Sequence, residues 1–81
     1  MRLCHLHHVQ VPYPLGQDEV ARQFYTQVLE LRELPRPAAL AERPGMWLDL
    51  GHGQQLHLLA KDTGSGSRDH HFALLVEDLA A

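Results

Sequence analysis

The 81 residues of this chain, 44% of them hydrophobic and 21% charged, are enough for one domain and too few for two. The net charge of −3 and the scattered basic residues exclude a nucleic-acid surface, and no apolar run is long enough to cross a membrane. The single cysteine excludes an internal disulfide, so we expect a protein of a reducing compartment, located in the cytoplasm.

The first predicted element is a β-strand over residues 3–12, where histidine and glutamine alternate with aliphatic side chains. The strand is predicted to end at Pro12, with Pro14 close behind it, because proline cannot donate a hydrogen bond to a strand ladder.

A helix is predicted over residues 18–30, with Asp18 as its N-cap. Its apolar stripe comprises Val20, Ala21, Phe24, Val28 and Leu31. We expect this stripe to dock on the sheet, with Phe24 as the main contact. Prolines over residues 35–37 then permit only a short, irregular edge strand in this part of the chain.

Residues 46–50 and 54–61 form a predicted hairpin around a Gly-His-Gly turn, in which His52 is expected to be solvated. In the first of these strands Trp47 and Asp49 alternate with the aliphatic positions 46, 48 and 50. Residues 1–62 are thus predicted to form one module, residues 63–69 a Gly/Ser linker, and residues 70–81 the start of a second, incomplete module.

Strand parity predicts that three histidines share one face of the sheet. His8 lies opposite Val9 and Val11, and the aliphatic neighbours of His57 alternate with it in the same way. His71 alternates likewise with the apolar positions 72, 74 and 76 of the predicted strand over residues 70–77. The three imidazoles could therefore meet on one surface.

This order of elements resembles the vicinal oxygen chelate superfamily, which includes glyoxalase I, the extradiol dioxygenases and the bleomycin-resistance proteins. The resemblance is carried by residues 6–11, 21–31, 55–58 and 71–79, with Glu30 where the family has a glycine. It implies an α+β fold built on a βαβββ module, followed here by the first strand of a second module. A ferredoxin-like antiparallel sandwich is the structural alternative.

The resemblance also implies a divalent metal site. First-strand and second-module ligands of the family correspond to His8 and His71, and His57 stands where glyoxalases carry a carboxylate. Neutral imidazole suits Zn, Ni, Fe or Mn, and three ligands leave a position open for substrate. The implied function is that of a metal-dependent lyase or dioxygenase acting on a small substrate with vicinal oxygens. Only Asp49 and Glu77 could serve there as a base.

A second function remains open on the same face. A cup lined by Gln10, Trp47, Leu59 and Leu75 without metal would be a non-catalytic site for a small molecule, as in the bleomycin-resistance branch, or the chain could be a truncated remnant. Because one module leaves sheet edges and one wall of the cup open, we expect a homodimer with residues 3–12 and 70–77 near the interface.

Overall fold

A four-stranded sheet with one helical segment packed on it forms the described part of the chain. The computed structural model describes residues 1–62 and 71–77. Its elements are β1 (His8–Pro14), α1 (Asp18–Gln23) continued by a wider π-helical turn (Phe24–Val28), β2 (Arg32–Leu34), a 3₁₀ turn (Ala38–Leu40), β3 (Gly45–Gly51) and β4 (Gln54–Lys61). The predicted α+β class and the βαβββ order are confirmed.

The sheet has the strand order β1-β4-β3-β2. β1 runs parallel to β4, and the other two pairs are antiparallel. The mixed sheet excludes the fully antiparallel sandwich. It also places β4 at the centre, with β1 and β3 on either side of it.

The core lies on the face of the sheet that strand parity predicts. Met46 and Leu48 of β3 and Leu56 of β4 are at most 1% exposed. Val9 and Val11 of β1 pack against the same cluster. Each fully buried side chain of this size contributes roughly 1.5–3 kcal/mol to the free energy of folding.

The first strand begins and ends later than predicted. It continues through Pro12 and Pro14, and the residues before His8 are not in a strand. The His7 carbonyl accepts from β4 at 2.9 Å and the Leu15 N–H donates to β4 at 2.8 Å. In a parallel pair, every second residue of a strand hydrogen-bonds to the neighbouring strand. In β1 these are the odd-numbered residues, so the even-numbered residues direct their backbone N–H and C=O groups away from β4. Neither proline therefore removes a β1–β4 hydrogen bond.

The helix turns only one edge of its predicted apolar stripe to the sheet, and Ala21 and Leu31 are the members of that stripe that contact the core. Ala21 is buried, and Tyr25, four residues later, packs against the core. Phe24 is 46% exposed, and Val20 and Val28 are more exposed still. The prediction that Phe24 is the main contact is therefore wrong. The small side chain of Ala21 lets the helix approach the sheet closely, and the longer Tyr25 fills the space beside it.

The two ends of the helix also differ from expectation. The N-cap position is held by Gln17 without a side-chain hydrogen bond, and Asp18 is the first helical residue. At the other end Glu30 adopts φ of 59°, the left-handed conformation that favours glycine. Glu30 thus has the left-handed backbone conformation that suits glycine, the residue that the resembled family has at this position.

Residues 71–77 form neither helix nor strand in the described structure. Phe72, Leu74 and Val76 are 38–44% exposed, whereas Leu75 between them is fully exposed. This alternation agrees with the period of two that the sequence shows, but the predicted strand pairs with no strand within the described ranges. The predicted linker over residues 63–69 and the end of the chain lie outside those ranges. No helix in residues 1–62 or 71–77 is long and apolar enough to cross a membrane.

Candidate functional site

Three aromatic rings stack side by side on the face of the sheet opposite the core. The ring of His57 lies between those of His8 and Trp47, with centroid distances of 4.0 Å and 4.1 Å. The interplanar angles are 16° and 3°, so all three rings are nearly parallel. The expectation that His8 shares this face with His57 is confirmed.

The stack follows from the register of three adjacent strands. His57 is paired with Gln10 of β1 on one side and with Trp47 of β3 on the other. His8 reaches His57 from a diagonal position two residues before Gln10, a separation that ring-sized side chains can bridge. We call this set, His8, His57 and Trp47, the ring stack.

Burial differs strongly along the ring stack. His57 is only 6% exposed, because it lies on the central strand and has a ring on each side. His8 is exposed on the edge strand, and Trp47 is half-buried. A ligand reaching this face would therefore meet His8 and Trp47 more readily than the ring between them.

The protonation state of His57 follows from its surroundings. Burial lowers the pKa of His57, and the neighbouring His8 and His7 lower it further. Its Nε2 lies 2.8 Å from the amide oxygen of Gln55, an acceptor, and this contact favours the tautomer with the proton on Nε2. The lowered pKa of His57 favours the neutral imidazole at neutral pH.

The other predicted lining residues separate into two groups. Gln10 and Leu59 lie on strands β1 and β4 on the same face as the ring stack, the first exposed and the second half-buried. Leu75 lies in the segment after β4 and is fully exposed, so it adds no wall within the described residues. Its contact with a ligand stays a prediction.

The two candidate bases differ in their environment. Asp49, two residues from Trp47, accepts a hydrogen bond from the Gly51 N–H at 2.7 Å and pairs with Arg32 at 3.0 Å. These two contacts, the first more than the second, lower the pKa of Asp49 below its usual value. Asp49 is therefore a weak base that is already engaged in structure, while Glu77 is exposed.

The predicted metal ligands do not fit a single ion as they are placed. A nitrogen lone pair lies in the plane of its ring, and two nearly parallel rings 4.0 Å apart share no nearby point in both planes. No group of three or more His, Cys, Asp or Glu in residues 1–62 and 71–77 is arranged to hold a metal. His71 is exposed and forms no such group with His8 and His57.

Two residues near the ring stack were missed by sequence reasoning. Gln55 orients His57, and parity could have found it, since positions 55 and 57 share one face. Strand parity would place His7 on the face opposite His8, yet its Nδ1 lies 2.8 Å from Nδ1 of His8. Parity fails for His7 because β1 begins only at His8, so the alternation of a strand does not govern its side chain.

Solved structures share this fold. A Bacillus anthracis protein provisionally described as a glyoxalase family protein is 33% identical, with a TM-score of 0.71 over 79% of this chain and 52% of that one. An integron cassette protein from the Halifax Harbour sewage outfall metagenome is 22% identical, with a TM-score of 0.67 over 93% of this chain and 60% of that one. A V. cholerae integron cassette protein is 19% identical, with a TM-score of 0.51 over 96% of this chain and 49% of that one.

These neighbours establish the fold as the glyoxalase or vicinal oxygen chelate type. No family model matches the sequence, and no curated protein matches it either. The chain spans about half the length of the solved structures it resembles, between 49% and 60% of each.

Proposed function

We propose that this chain, which has one module of a glyoxalase-type fold, binds a small planar molecule on the open face of its sheet. The observation that carries this proposal is the ring stack, in which each pair of neighbouring rings lies within 16° of parallel. The outer faces of the two end rings, His8 and Trp47, are flat and polarisable, and such surfaces favour stacking with aromatic ligands. The amide of Gln10 and the aliphatic Leu59 add one polar and one apolar contact beside the rings, a mixture typical of small-molecule sites.

The neutral state of His57 supports binding without charge. A buried imidazolium would favour an anionic ligand, whereas a neutral His57, whose two ring faces are covered by His8 and Trp47, adds no charge to the site. We therefore expect an uncharged or weakly charged planar ligand. We also propose that the protein is located in the cytoplasm.

A second copy of the chain is the proposed second wall of the cup. The outer edge of β1 directs the backbone groups of His8 and Gln10 away from β4, whereas Pro12 and Pro14 on the same edge have no N–H to donate, so pairing with a second copy is proposed at the start of the strand. This chain covers only 52% of one solved neighbour and 49% of another, so a second copy could supply structure comparable to the rest of those proteins. Light scattering should show a homodimer at micromolar concentration; a stable folded monomer that still binds ligand would contradict this part of the proposal.

Catechol is a suitable probe, because it is planar and carries two vicinal oxygens. The chain has one tryptophan, so the emission of Trp47 reports directly on the ring stack. We expect catechol to change that emission in the presence of EDTA, and His57→Leu to weaken the binding measured by calorimetry. His52→Ala, a change in the exposed hairpin turn, is the matched control and should bind as the unmodified chain does.

A metal-dependent lyase or dioxygenase is the second candidate, supported by the adjacent imidazoles of His8 and His57 and by the neutral state of the latter. It requires the rings to leave the parallel arrangement and a further ligand, such as His71, to approach. Metal analysis of protein purified without a histidine tag would decide between the candidates. Catechol binding that needs a retained divalent metal, with turnover, favours the enzyme; binding unaffected by EDTA favours the carrier.

A further inference from the structure

The rings of His7 and His8 meet at their edges, at the exposed end of the ring stack. Their Nδ1 atoms are 2.8 Å apart and their centroids 5.1 Å apart. The difference between these two distances is taken up by the two ring radii, so both nitrogens lie on the line between the centroids. Each Nδ1 therefore points at the other, which is the geometry of an N–H···N hydrogen bond.

This hydrogen bond needs one proton on the two facing nitrogens. A neutral imidazole carries its proton on Nδ1 or on Nε2, and only a protonated nitrogen can donate. When both rings are neutral, the ring whose Nδ1 donates has a bare Nε2, and the ring whose Nδ1 accepts has its proton on Nε2. His7 and His8 are thus held in opposite tautomers.

We propose that His7 is a positioning residue, whose hydrogen bond to His8 turns the outer face of the His8 ring toward the aromatic ligand. The inference rests on the proposed small-molecule function and names the surface on which the ligand stacks. Of the two end rings, His8 is exposed, whereas Trp47 is half-buried and has Leu34 of β2 paired beside it. The His8 ring thus offers the more open of the two outer faces.

The orientation of the His8 ring needs a contact at its edge. Stacking on His57 restricts the tilt of the ring plane, but it allows a half-turn about χ2, a torsion that is broad and roughly two-fold in histidine. β1 is the edge strand of the described sheet, so a strand flanks His8 on one side only. A hydrogen bond from His7 to Nδ1 selects one of the two χ2 states and holds the ring by its edge as well as by its face.

Gln55 anchors both of the rings that contact His8. Its backbone N–H donates to the His7 carbonyl at 2.9 Å, and its side-chain oxygen lies 2.8 Å from Nε2 of His57. The edge contact and the stacking contact are therefore both held by one residue of the central strand β4. A ring face that is ordered in advance in this way requires less ordering when a ligand binds.

The tautomers provide the first test, and this test needs no ligand. Long-range ¹H–¹⁵N correlation spectra of the untagged full chain report the protonation of each ring nitrogen, at about pH 8.5, above the range in which histidine ordinarily titrates. The protonated fractions of the two Nδ1 atoms should add up to about one, because the pair shares a single proton. His52, exposed in the hairpin turn, is the reference for a ring in water. A sum of only twice the His52 fraction would overturn the hydrogen bond.

A matched pair of substitutions tests the effect on binding. His7→Leu removes the ring nitrogen, whereas His7→Asn places a side-chain amide near the former position of Nδ1 and can still donate or accept. Catechol titrations, followed by Trp47 emission and calorimetry, should show binding weakened about two- to tenfold in His7→Leu, the range expected for the loss of one hydrogen bond. His7→Asn and the control His52→Leu should bind as the unmodified chain does.

The outcomes separate this inference from the proposed function. If the unmodified chain and His7→Leu bind catechol equally well, the inference fails while the proposed function stands. Equal losses in His7→Leu and His7→Asn would overturn it by showing that His7 acts through its bulk. If the unmodified chain binds no catechol, the proposed function fails together with the ligand surface on His8, and the tautomers still decide whether His7 holds His8. Circular dichroism of each variant confirms that its fold is retained.

Discussion

The β3–β4 hairpin and the helical segment teach different lessons about how a sequence encodes packing. In the hairpin, the aliphatic side chains predicted to face the core do so, with Leu48 and Leu56 at 0% exposure and Leu50 packed against them while partly exposed. In the helix, the predicted contact Phe24 is 46% exposed and the sheet contacts Ala21 and Tyr25 instead. A strand has only two faces, so the only open question is which face is buried. In a regularly alternating strand, the aliphatic residues decide that question.

A helix offers a continuous range of orientations. Two overlapping stripes compete here, one with the larger apolar side chains at positions 20, 24 and 28, and one in which Ala21, itself part of the predicted stripe, is followed by Tyr25. The ion pair from Arg22 to Glu33, at 2.9 Å, ties the helix to β2. The wide π-helical turn over Phe24–Val28 further rotates the later residues relative to an ideal α-helix. Hydrophobicity alone could not choose between the stripes.

The sharpest test of this comparison is Leu56→Ala set against Phe24→Ala. Removing the fully buried Leu56 side chain should lower the free energy of unfolding by about 2–5 kcal/mol, most of the stability of so small a domain. Phe24→Ala should cost clearly less, because nearly half of that side chain is already in water. Urea denaturation of both variants measures this; equal losses would show that Phe24 packs in solution as the stripe predicts.

The close contact between β3 and β4 provides a second test within the hairpin. A Cβ on Gly45 would overlap the Leu58 carbonyl oxygen and crowd the Arg36 guanidinium. Gly45→Ala should therefore destabilise the fold by about 1–3 kcal/mol in a thermal melt, the usual range for overpacking. Gly16→Ala is the control, since a Cβ there meets nothing and only its φ of 87° opposes the change. A smaller loss at Gly45 than at Gly16 would mean that the strands separate easily at this point.

The pH dependence of stability tests the burial of His57 on the central strand, β4. Because burial lowers the pKa of His57 below 6.5, the folded chain binds a proton at this imidazole less readily than the unfolded chain does. The stability contributed by neutral His57 should be fully present above pH 6.5 and decline as pH falls through the lowered pKa. Thermal melts over this range should show a shallower decline for His57→Leu than for His52→Ala. A rise in stability on acidification would instead indicate that attraction between an imidazolium and Trp47 dominates.

The smallest expected effect is at the end of the helix. Glu30 carries φ of 59°, so Glu30→Gly removes backbone strain while adding freedom to the unfolded chain. The net gain should be at most about 1 kcal/mol, seen as a modest rise in Tm. Glu42→Gly, at an exposed position without positive φ, should give no gain. A loss at Glu30 comparable to that at Glu42 would show that the conformation there is not strained.

The sequence by itself determined the order of elements, the buried face of each β3 and β4 residue, and the shared face of His8, His57 and Trp47. These features follow from the period of two in a strand, which is independent of what the strand packs against. The resemblance to the vicinal oxygen chelate superfamily added the βαβββ topology, and the solved neighbours agree with it.

Only the tertiary structure decided how the ring planes lie, which side of the helix faces the sheet, and that His7 meets His8 edge-on. Parity places a side chain on a face but leaves its χ angles free, and those angles decide whether two imidazoles stack or aim at one ion. The metal site was predicted from shared location alone, whereas coordination depends on the direction of lone pairs. That direction is set by neighbouring rings and by the Gln55 hydrogen bond, contacts that exist only once β1, β3 and β4 have come together.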